Sequence, residues 1–402
     1  MTRLGRVITE AICLHYGRDE FLRRMSHPFW FQSFGAVMGM DWHSSGITTS
    51  VVGALKRGLE PLEDELGIYV CGGRGKHSRK TPAELVRVGE KTGLDGAAMA
   101  QTSRLVAKVD SAAVQDGFDL YLHSFIVTAE GKWVVIQQGM KGEAKQARRY
   151  HWLSEDVSDF VDTPHAAIDG PGQGSIINLT DHRADRARST GVELVNGDPD
   201  AVVDEVARIT GRVAEQPAQM LLPHLQMPAH HEVRKEDVVM RRLRGALAAA
   251  AERGPKDFPE LLLTPGVGAR TVASLALVAD VVHGAPSRFS DPARYSAAHG
   301  GKDGPPVPVP LNVYDRTISV LRVGVDKAKL GNDDKLVAIR NLDREARRLE
   351  AWARGPDWDE FVAEERRRSH EYGGMSVDGP ACPTRRSTDA EEPRAHETKE
   401  SA

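Results

Sequence analysis

The chain has 402 residues, of which 40% are hydrophobic and 27% are charged, a composition typical of folded globular proteins with more than one domain. The formal net charge of −4 excludes a uniformly basic protein, so any surface for nucleic acid has to be a local basic patch. Because no apolar run approaches the roughly 20 residues that span a membrane and the cysteines are far apart, the sequence predicts a soluble, cytoplasmic protein without a structural zinc site.

Hydrophobic spacing predicts helices in residues 1–40, where the aromatic residues from Phe21 to Phe34 are expected in the core. The period then changes to two, and Phe118–Thr128 and Trp133–Gln138 predict a β-hairpin. Residues 165–195, rich in Gly, Asp and Arg, predict an irregular loop region, and a helical pattern returns between residues 198 and 352.

These patterns predict an α-rich protein of the α+β class, with one small sheet in an N-terminal mixed domain. Met1 opens directly onto an apolar helical face, so this domain is expected to be truncated at its N-terminus. Few apolar residues follow residue 355, which predicts a charged, largely disordered tail. The expected divisions are an α+β domain at residues 1–195, a helical connector at 196–255, a helical domain at 256–355 and the tail at 356–402.

The strongest local motif is Pro265-Gly266-Val267-Gly268, which lies between two apolar segments and predicts a tight turn between helices. Glycines let the backbone approach a ligand closely, and the N-terminus of the second helix favours an anion. The motif resembles the helix-hairpin-helix of DNA repair and processing proteins, with Val267 buried between the helices. The resemblance implies a C-terminal helix-hairpin-helix domain that grips duplex phosphates without reading sequence, through Gly266, Val267, Gly268 and Arg270. The alternative is a plain helical hairpin.

The same hairpin occurs in DNA glycosylases similar to endonuclease III. Their bifunctional members carry a Lys two residues after the second Gly, where this sequence has Arg270, which stays protonated and cannot form a Schiff base. Asp291 lies slightly late for their catalytic Asp, and its position before Pro292 favours a helix cap. Some transposases carry a similar hairpin, so the motif indicates DNA contact more firmly than chemistry.

Several short polar and aromatic runs are unlike an ordinary core: Asp41–Gly46, Ala107–Ser111, Gln115–Gly117, Gln137–Met140, Arg148–Trp152 and His299–Gly304. With these runs, the sequence closely resembles the domain of unknown function 763 family of bacteria and archaea over most of residues 1–350. The resemblance implies no established activity. It also implies a further N-terminal segment, because family members usually carry one before the helix that starts here at Met1.

Two basic segments are candidate phosphate contacts. The first is a Gly-rich loop with the cations Arg74, Lys76, Arg79 and Lys80. It leads into a helix start that predicts a capping box, with Thr81 as N-cap, Pro82 in the first turn and Glu84 as the capping-box acid. A cationic loop before a helix suits phosphate, and the alternative is a solvated surface loop. In the second segment, Arg148 and Arg149 are expected to contact the nucleic-acid backbone, beside aromatic residues that stack on a base. The alternative is that they are surface arginines that flank core aromatics.

The candidate catalytic residues lie beside or within the predicted hairpin: Asp110, Asp116, Asp119 and His123. Carboxylates in a DNA-binding protein suggest phosphodiester cleavage with Mg²⁺ or Mn²⁺, held here by Asp116 and Asp119. The second strand offers only Gln137 and Gln138 in place of Glu-x-Lys, which argues against a nuclease. Asp41 and His43 form an alternative acid/base pair or part of a helix-capping turn.

The sequence thus predicts DNA, duplex or structured, as the partner, and no contact with a membrane. One functional hypothesis is an enzyme of DNA repair or processing, either a metal-dependent nuclease or a base-excision glycosylase. The other is a non-catalytic module that recognises DNA structure or recruits partners. A divalent-metal requirement, base release without metal, and binding alone distinguish the three. No cofactor beyond Mg²⁺ or Mn²⁺ is indicated.

Overall fold

The computed structural model describes residues 1–40, 46–142, 146–211, 240–293 and 311–353, and positions 363, 366, 367, 369, 375, 376, 379 and 380. Met1–Gly355 form one unit and Pro356–Ala402 a second, in which two short strands pair antiparallel. Asp41, His43, the run His299–Gly304 and most of the predicted tail lie outside the described residues. The finer divisions expected within residues 1–355 stay a prediction.

The first unit contains short strands that all pair antiparallel: β1 (Ile68–Arg74), β2 (Val114–Gln115), β3 (Asp119–Thr128), β4 (Trp133–Lys141), β5 (Gln146–Leu153), β6 (Ala167–Asp169), β7 (Ser175–Asn178) and β8 (Arg288–Ser290). One sheet has the order β1-β3-β4-β5-β6 and the other β2-β7-β8. The predicted hairpin is confirmed as β3 and β4, and its turn uses Gly131 at φ 86°, where glycine meets no steric penalty. These sheets confirm the α+β class.

Residues 165–195 are more regular than the sequence predicts. They contain β6, β7 and the start of a helix at Asp185, so the expectation of an irregular loop is wrong for much of this region. The two strands have three and four residues, too few for a visible alternation. They form because distant strands supply their hydrogen-bond partners, β5 for β6 and both β2 and β8 for β7.

Helices account for most of the remaining described chain: α1 (Thr2–Tyr16), α2 (Arg18–Ser26), α3 (Pro28–Val37), α4 (Ile47–Leu59), α5 (Glu63–Leu66), α6 (Thr81–Thr92), α7 (Gly96–Lys108), α8 (Asp185–Asn196), α9 (Pro199–Ile209), α10 (Met240–Arg253), α11 (Phe258–Leu263), α12 (Ala269–Val281), α13 (Leu311–Lys327) and α14 (Asn332–Ala353). Short 3₁₀ turns cover Glu60–Leu62, Gly75–Lys80 and His182–Ala184. A π-helical segment, Val109–Ala113, continues α7 and ends at β2.

The large sheet carries a hydrophobic core on each face. Because successive side chains of a strand point to opposite faces, Phe125 and Val127 join the core with α6–α12, whereas Ile126 joins the core with α1–α4, α13 and α14. The C-terminal helices are therefore divided between the two faces. The aromatic residues predicted to be buried near the N-terminus are at 1% exposure or less, and the second core contains Phe21, Trp30, Phe31 and Phe34.

Candidate nucleic-acid interface

The turn between α11 and α12, residues Thr264–Gly268, is as tight as its glycines predict. Gly266 adopts φ 88°, a conformation that side-chain-bearing residues rarely adopt, and it is exposed together with Pro265. Val267 points inward and is 1% exposed, so the burial predicted for it is confirmed. Its amide donates to the carbonyl of Thr264 at 3.1 Å, which closes the turn.

The N-terminus of α12 has unused backbone donors next to the exposed turn. The first helical hydrogen bond runs from the Val272 amide to the Gly268 carbonyl at 3.0 Å, so the amides from Gly268 to Thr271 precede it. None of these four amides donates a hydrogen bond within the described chain. A Cβ built on Gly268 meets nothing within 4 Å, so the space beside this residue is open. Such a helix end favours an anion.

Three cations lie on the elements that form or contact this turn. Arg270 is exposed in the first turn of α12, and Lys108 at the end of α7 contacts the turn directly. Ala246 of α10 lies 3.9 Å from the Cβ position of Gly266, and the exposed Arg242 is one helical turn earlier on α10. Within the described residues, none of these three cations forms an ion pair with a carboxylate. These three positive charges are therefore not neutralised by an ion pair in the described chain, although the chain as a whole is acidic.

The basic segment Arg74–Lys80 is exposed at the end of β1. It forms a 3₁₀ turn in which the Ser78 hydroxyl donates to the Gly75 carbonyl at 2.6 Å. The guanidinium of Arg74 lies 5.8 Å from the ring centroid of Tyr121. No ion pair involving this segment is found among the described residues, which leaves its positive charge available to a polyanion.

The helix start after this segment differs from the expected capping box. Thr81 is already inside α6, where its hydroxyl donates to the Ser78 carbonyl at 2.8 Å. Glu84 accepts from the Gly72 amide and from the Lys56 ammonium, both at 2.6 Å. Glu84 thus ties α6 to β1 and α4, a tertiary role that its local sequence does not reveal.

Arg148 and Arg149 are buried, at 0% and 3% exposure, which corrects the expectation that they lie on a surface. Adjacent residues of β5 face opposite sides of the sheet, so each guanidinium meets its own carboxylates. Arg148 pairs with Asp116 at 2.9 Å and with Asp291 at 2.7 Å, and Arg149 pairs with Asp169 at 2.6 Å. Both arginines hold the interior together, and we leave them out of the phosphate-binding surface.

Asp110 is the acceptor at the centre of a buried polar cluster. Its carboxylate accepts from His165 Nε2 at 2.5 Å, from Trp152 Nε1 at 3.1 Å and from the Gln137 amide. Gln137 in turn accepts from His123 Nδ1 at 2.7 Å. A hydrogen bond of 2.8 Å between His123 Nε2 and the Ser103 hydroxyl completes the chain.

The Gln137 Oε1 atom only accepts, so Nδ1 of His123 donates to it. The Ser103 hydroxyl is able to donate to Nε2, which suits a neutral imidazole. Burial lowers the pKa of His123, in agreement with that pattern. His123 is 6% exposed and Asp110 is 0% exposed, so the cluster is a structural network inside the core rather than an open cleft.

The two proposed metal ligands lie in different environments. Asp116 is 1% exposed and accepts from Arg148 and from the Tyr150 hydroxyl, whereas Asp119 is exposed at the start of β3. Among the residues that the structure describes, no group of three or more His, Cys, Asp or Glu side chains is arranged to hold a metal ion. Asp291, the glycosylase-like candidate, is also engaged, by Arg148 and by the amide of Gln173.

The sequence predicts no individual role for two of the residues that contact the turn. Lys108 and Gln115 belong to polar runs that carry the family resemblance, and both donate to carbonyls of the turn region. Their spacing gives no local signal, because their acceptors lie more than 150 residues away. His165 was missed entirely, since it lies in the region predicted to be irregular.

Fold and site together define a mixed α+β protein with an exposed turn between two helices, cations on the neighbouring elements and a buried polar cluster around Asp110. The chain matches the family described as Protein of unknown function (DUF763) over residues 1–309 and belongs to that family. No curated protein and no solved structure matches it. Within the described part of the chain, every helix is too short or too polar to cross a membrane.

Proposed function

We propose that this protein binds duplex DNA through the turn between α11 and α12, gripping backbone phosphates without reading the base sequence. The observation that carries the proposal is the open N-terminus of α12, where four successive amides are unused within the described chain beside the exposed Gly266. The resemblance to helix-hairpin-helix proteins supports the same proposal. Phosphate contacts position a protein on DNA but carry no sequence information.

Charge around the turn supports an anionic ligand. Arg270 is in the first turn of α12 and Arg242 is on the helix that packs against Gly266, and no described carboxylate forms an ion pair with either. The segment Arg74–Lys80 adds a second positive surface on the same unit. Because the protein is acidic overall, its attraction to DNA has to arise from such local patches, and binding is expected to weaken steeply with salt.

The carboxylates favour a binding role over a cleavage role. A divalent ion at Asp116 would displace the paired guanidinium of Arg148, and one at Asp110 would displace three hydrogen-bond donors. Removing a partner from a buried charge is costly, roughly 3–5 kcal/mol. We therefore propose a DNA-binding module that acts in repair or processing, and we treat cleavage and base release as outcomes of the test.

The test measures duplex affinity of the wild type and of Gly268→Val. Gly268 is extended at φ −143°, which any residue adopts, and its Cβ position is open, so this variant is expected to fold. The valine side chain would stand where a phosphate approaches the amides, and affinity is expected to fall about tenfold for every sequence. Gly331→Val, at an equally open glycine between α13 and α14, is the matched control.

Unchanged affinity in folded Gly268→Val would remove the turn from the interface. The same duplexes, together with damaged and single-stranded DNA, are incubated with Mg²⁺ or Mn²⁺ and without metal. Metal-dependent cleavage would replace the binding proposal with a nuclease, and base release without metal would replace it with a glycosylase.

A further inference from the structure

Two side chains from a distant part of the sequence donate hydrogen bonds to backbone carbonyl groups at the α11–α12 turn. The Lys108 ammonium donates to the carbonyl of Val267 at 2.5 Å. The Gln115 amide donates to the carbonyl of Ala269 at 2.9 Å and also to the carbonyl of Ala112 at 3.0 Å. The turn itself supplies neither donor, so its orientation depends on α7 and β2.

The direction of these bonds bears on the proposed interface. In a trans peptide the C=O and the following N–H point in opposite directions. Fixing the Val267 carbonyl toward Lys108 therefore aims the Gly268 N–H away from α7. The Ala269 carbonyl already points along α12 as its first helical residue, and the bond from Gln115 holds it there, which fixes the first turn of α12 with its Arg270 N–H at the open end. Both amides are among those that lack a partner in the described chain.

We infer that Lys108 and Gln115 are positioning residues for phosphate binding, which orient the amides of Gly268 and Arg270 before DNA arrives. The inference rests on the proposed function and adds two residues to it. A site whose donors are already oriented binds more tightly, because less freedom is lost on association. Lys108 binds the Val267 carbonyl, on the opposite side of the peptide group from the Gly268 N–H. It therefore acts through the turn rather than by direct contact with the phosphate that Gly268 binds.

The support beneath these two residues is rigid. Between them lies the π-helical segment Val109–Ala113, a rare conformation that has to be held by its surroundings. Asp110 in this segment anchors it to His165 at 2.5 Å and to Trp152 at 3.1 Å. Gln115 is 4% exposed, so its amide is confined to the observed geometry. The buried Asp110 cluster thereby fixes the segment between Lys108 and Gln115, and these two residues in turn hold the α11–α12 turn.

The experiment measures the duplex dissociation constant of Lys108→Met and Gln115→Met at several salt concentrations. Each change removes a donor while keeping a flexible side chain of similar length. Affinity is expected to fall about tenfold in each, with an unchanged slope of log affinity against log salt, because no phosphate contact is deleted. Arg104→Met, which removes an exposed charge one turn earlier on α7, is the control and is expected to bind within about threefold of wild type.

Lys108→Arg keeps a donor that reaches the carbonyl and is expected to restore most of the affinity. Urea denaturation of each variant separates loss of binding from loss of folding, because binding is measured only where the variant is folded. Wild-type affinity in both methionine variants would overturn the inference. A slope lowered by about one in Lys108→Met would make Lys108 a direct contact instead. If the wild type binds no duplex, the proposed function fails, and the inference fails with it.

Discussion

Arg148 and Asp291 are 143 residues apart in the sequence and meet in the interior as a bidentate ion pair, with Nη1–Oδ1 at 3.0 Å and Nη2–Oδ2 at 2.7 Å. The pair joins β5 to the segment that follows β8. Asp116 adds a third bond to the same guanidinium at 2.9 Å. Burial opposes the charge of Arg148, but Asp116 and Asp291 together raise its pKa above the ordinary value. This arrangement holds the two sheets in one unit.

The first prediction is that Arg148→Met strongly destabilises the protein. The change leaves two carboxylates, Asp116 and Asp291, buried without their cation. Breaking a buried pair in this way typically costs about 3–5 kcal/mol of unfolding free energy. Urea denaturation monitored by circular dichroism measures the loss.

The matched control is Arg244→Met, which breaks the ion pair between Arg244 and Asp200 at 2.5 Å. Both partners of that pair are more than half exposed, so solvent screens them and little change is expected. If the two variants were equally stable, the buried pair would not contribute more than a surface pair, and its structural role would have to be abandoned.

Local sequence patterns were enough to predict the central hairpin and the N-terminal helices, because alternation and helical spacing are properties of neighbouring residues. The same patterns do not predict which part of the chain the C-terminal helices pack against. Gly324 of α13, for example, lies against Ile8 and Ile12 of α1, at 3.3 Å from its Cβ position to each side chain. Such contacts depend on tertiary packing between segments more than 300 residues apart.

The candidate site divides along the same line. The tight turn at Gly266 was predictable, since proline and glycine dictate backbone conformation locally. Arg148 and Arg149 were read as surface cations because arginine is usually exposed. Their burial depends on carboxylates from other elements, Asp291 and Asp169, which no local pattern brings together. Charged residues enter a core only when such partners offset the loss of hydration.

The second prediction concerns acid stability. Burial, reinforced by Arg24, lowers the pKa of His27 from 6.5 to about 4, and burial lowers the pKa of His123 and His151 as well. Between pH 6.5 and 4 the unfolded chain therefore binds more protons at these sites than the folded chain does. Stability is expected to be full above pH 6.5 and to fall as the pH is lowered through this window.

A comparison of variants isolates the contribution of His27. His27 caps α3 by accepting from the Trp30 amide, and asparagine caps equally well but does not titrate. His27→Asn is expected to lose less unfolding free energy than wild type between pH 6.5 and 4. Asp116, whose pKa is raised by burial, acts in the opposite sense, so the slope is compared between variants. His15→Asn, at an exposed position, is the control, and identical slopes in all three proteins would refute the assignment.

The last prediction tests whether Arg74–Lys80 contacts the same duplex as the α11–α12 turn. The two features are linked by a short path, because Arg74 covers Tyr121 and Gln115 contacts the turn. Gln115 and Tyr121 are joined by a stretch of at most about 20 Å, so a duplex of two helical turns, about 68 Å, is long enough to reach both features. Arg79→Met and Lys80→Met are each expected to weaken binding to all sequences alike and to reduce the slope of log affinity against log salt by about one.

The control variant, Lys329→Met, removes a charge that is 81% exposed just after α13 and is expected to leave the slope unchanged. The slope is measured by fluorescence anisotropy on a duplex of two helical turns. Equal slopes in the wild type, Arg79→Met and Lys80→Met would exclude this segment from the interface while leaving the turn itself untouched, because Gly268→Val tests the turn separately.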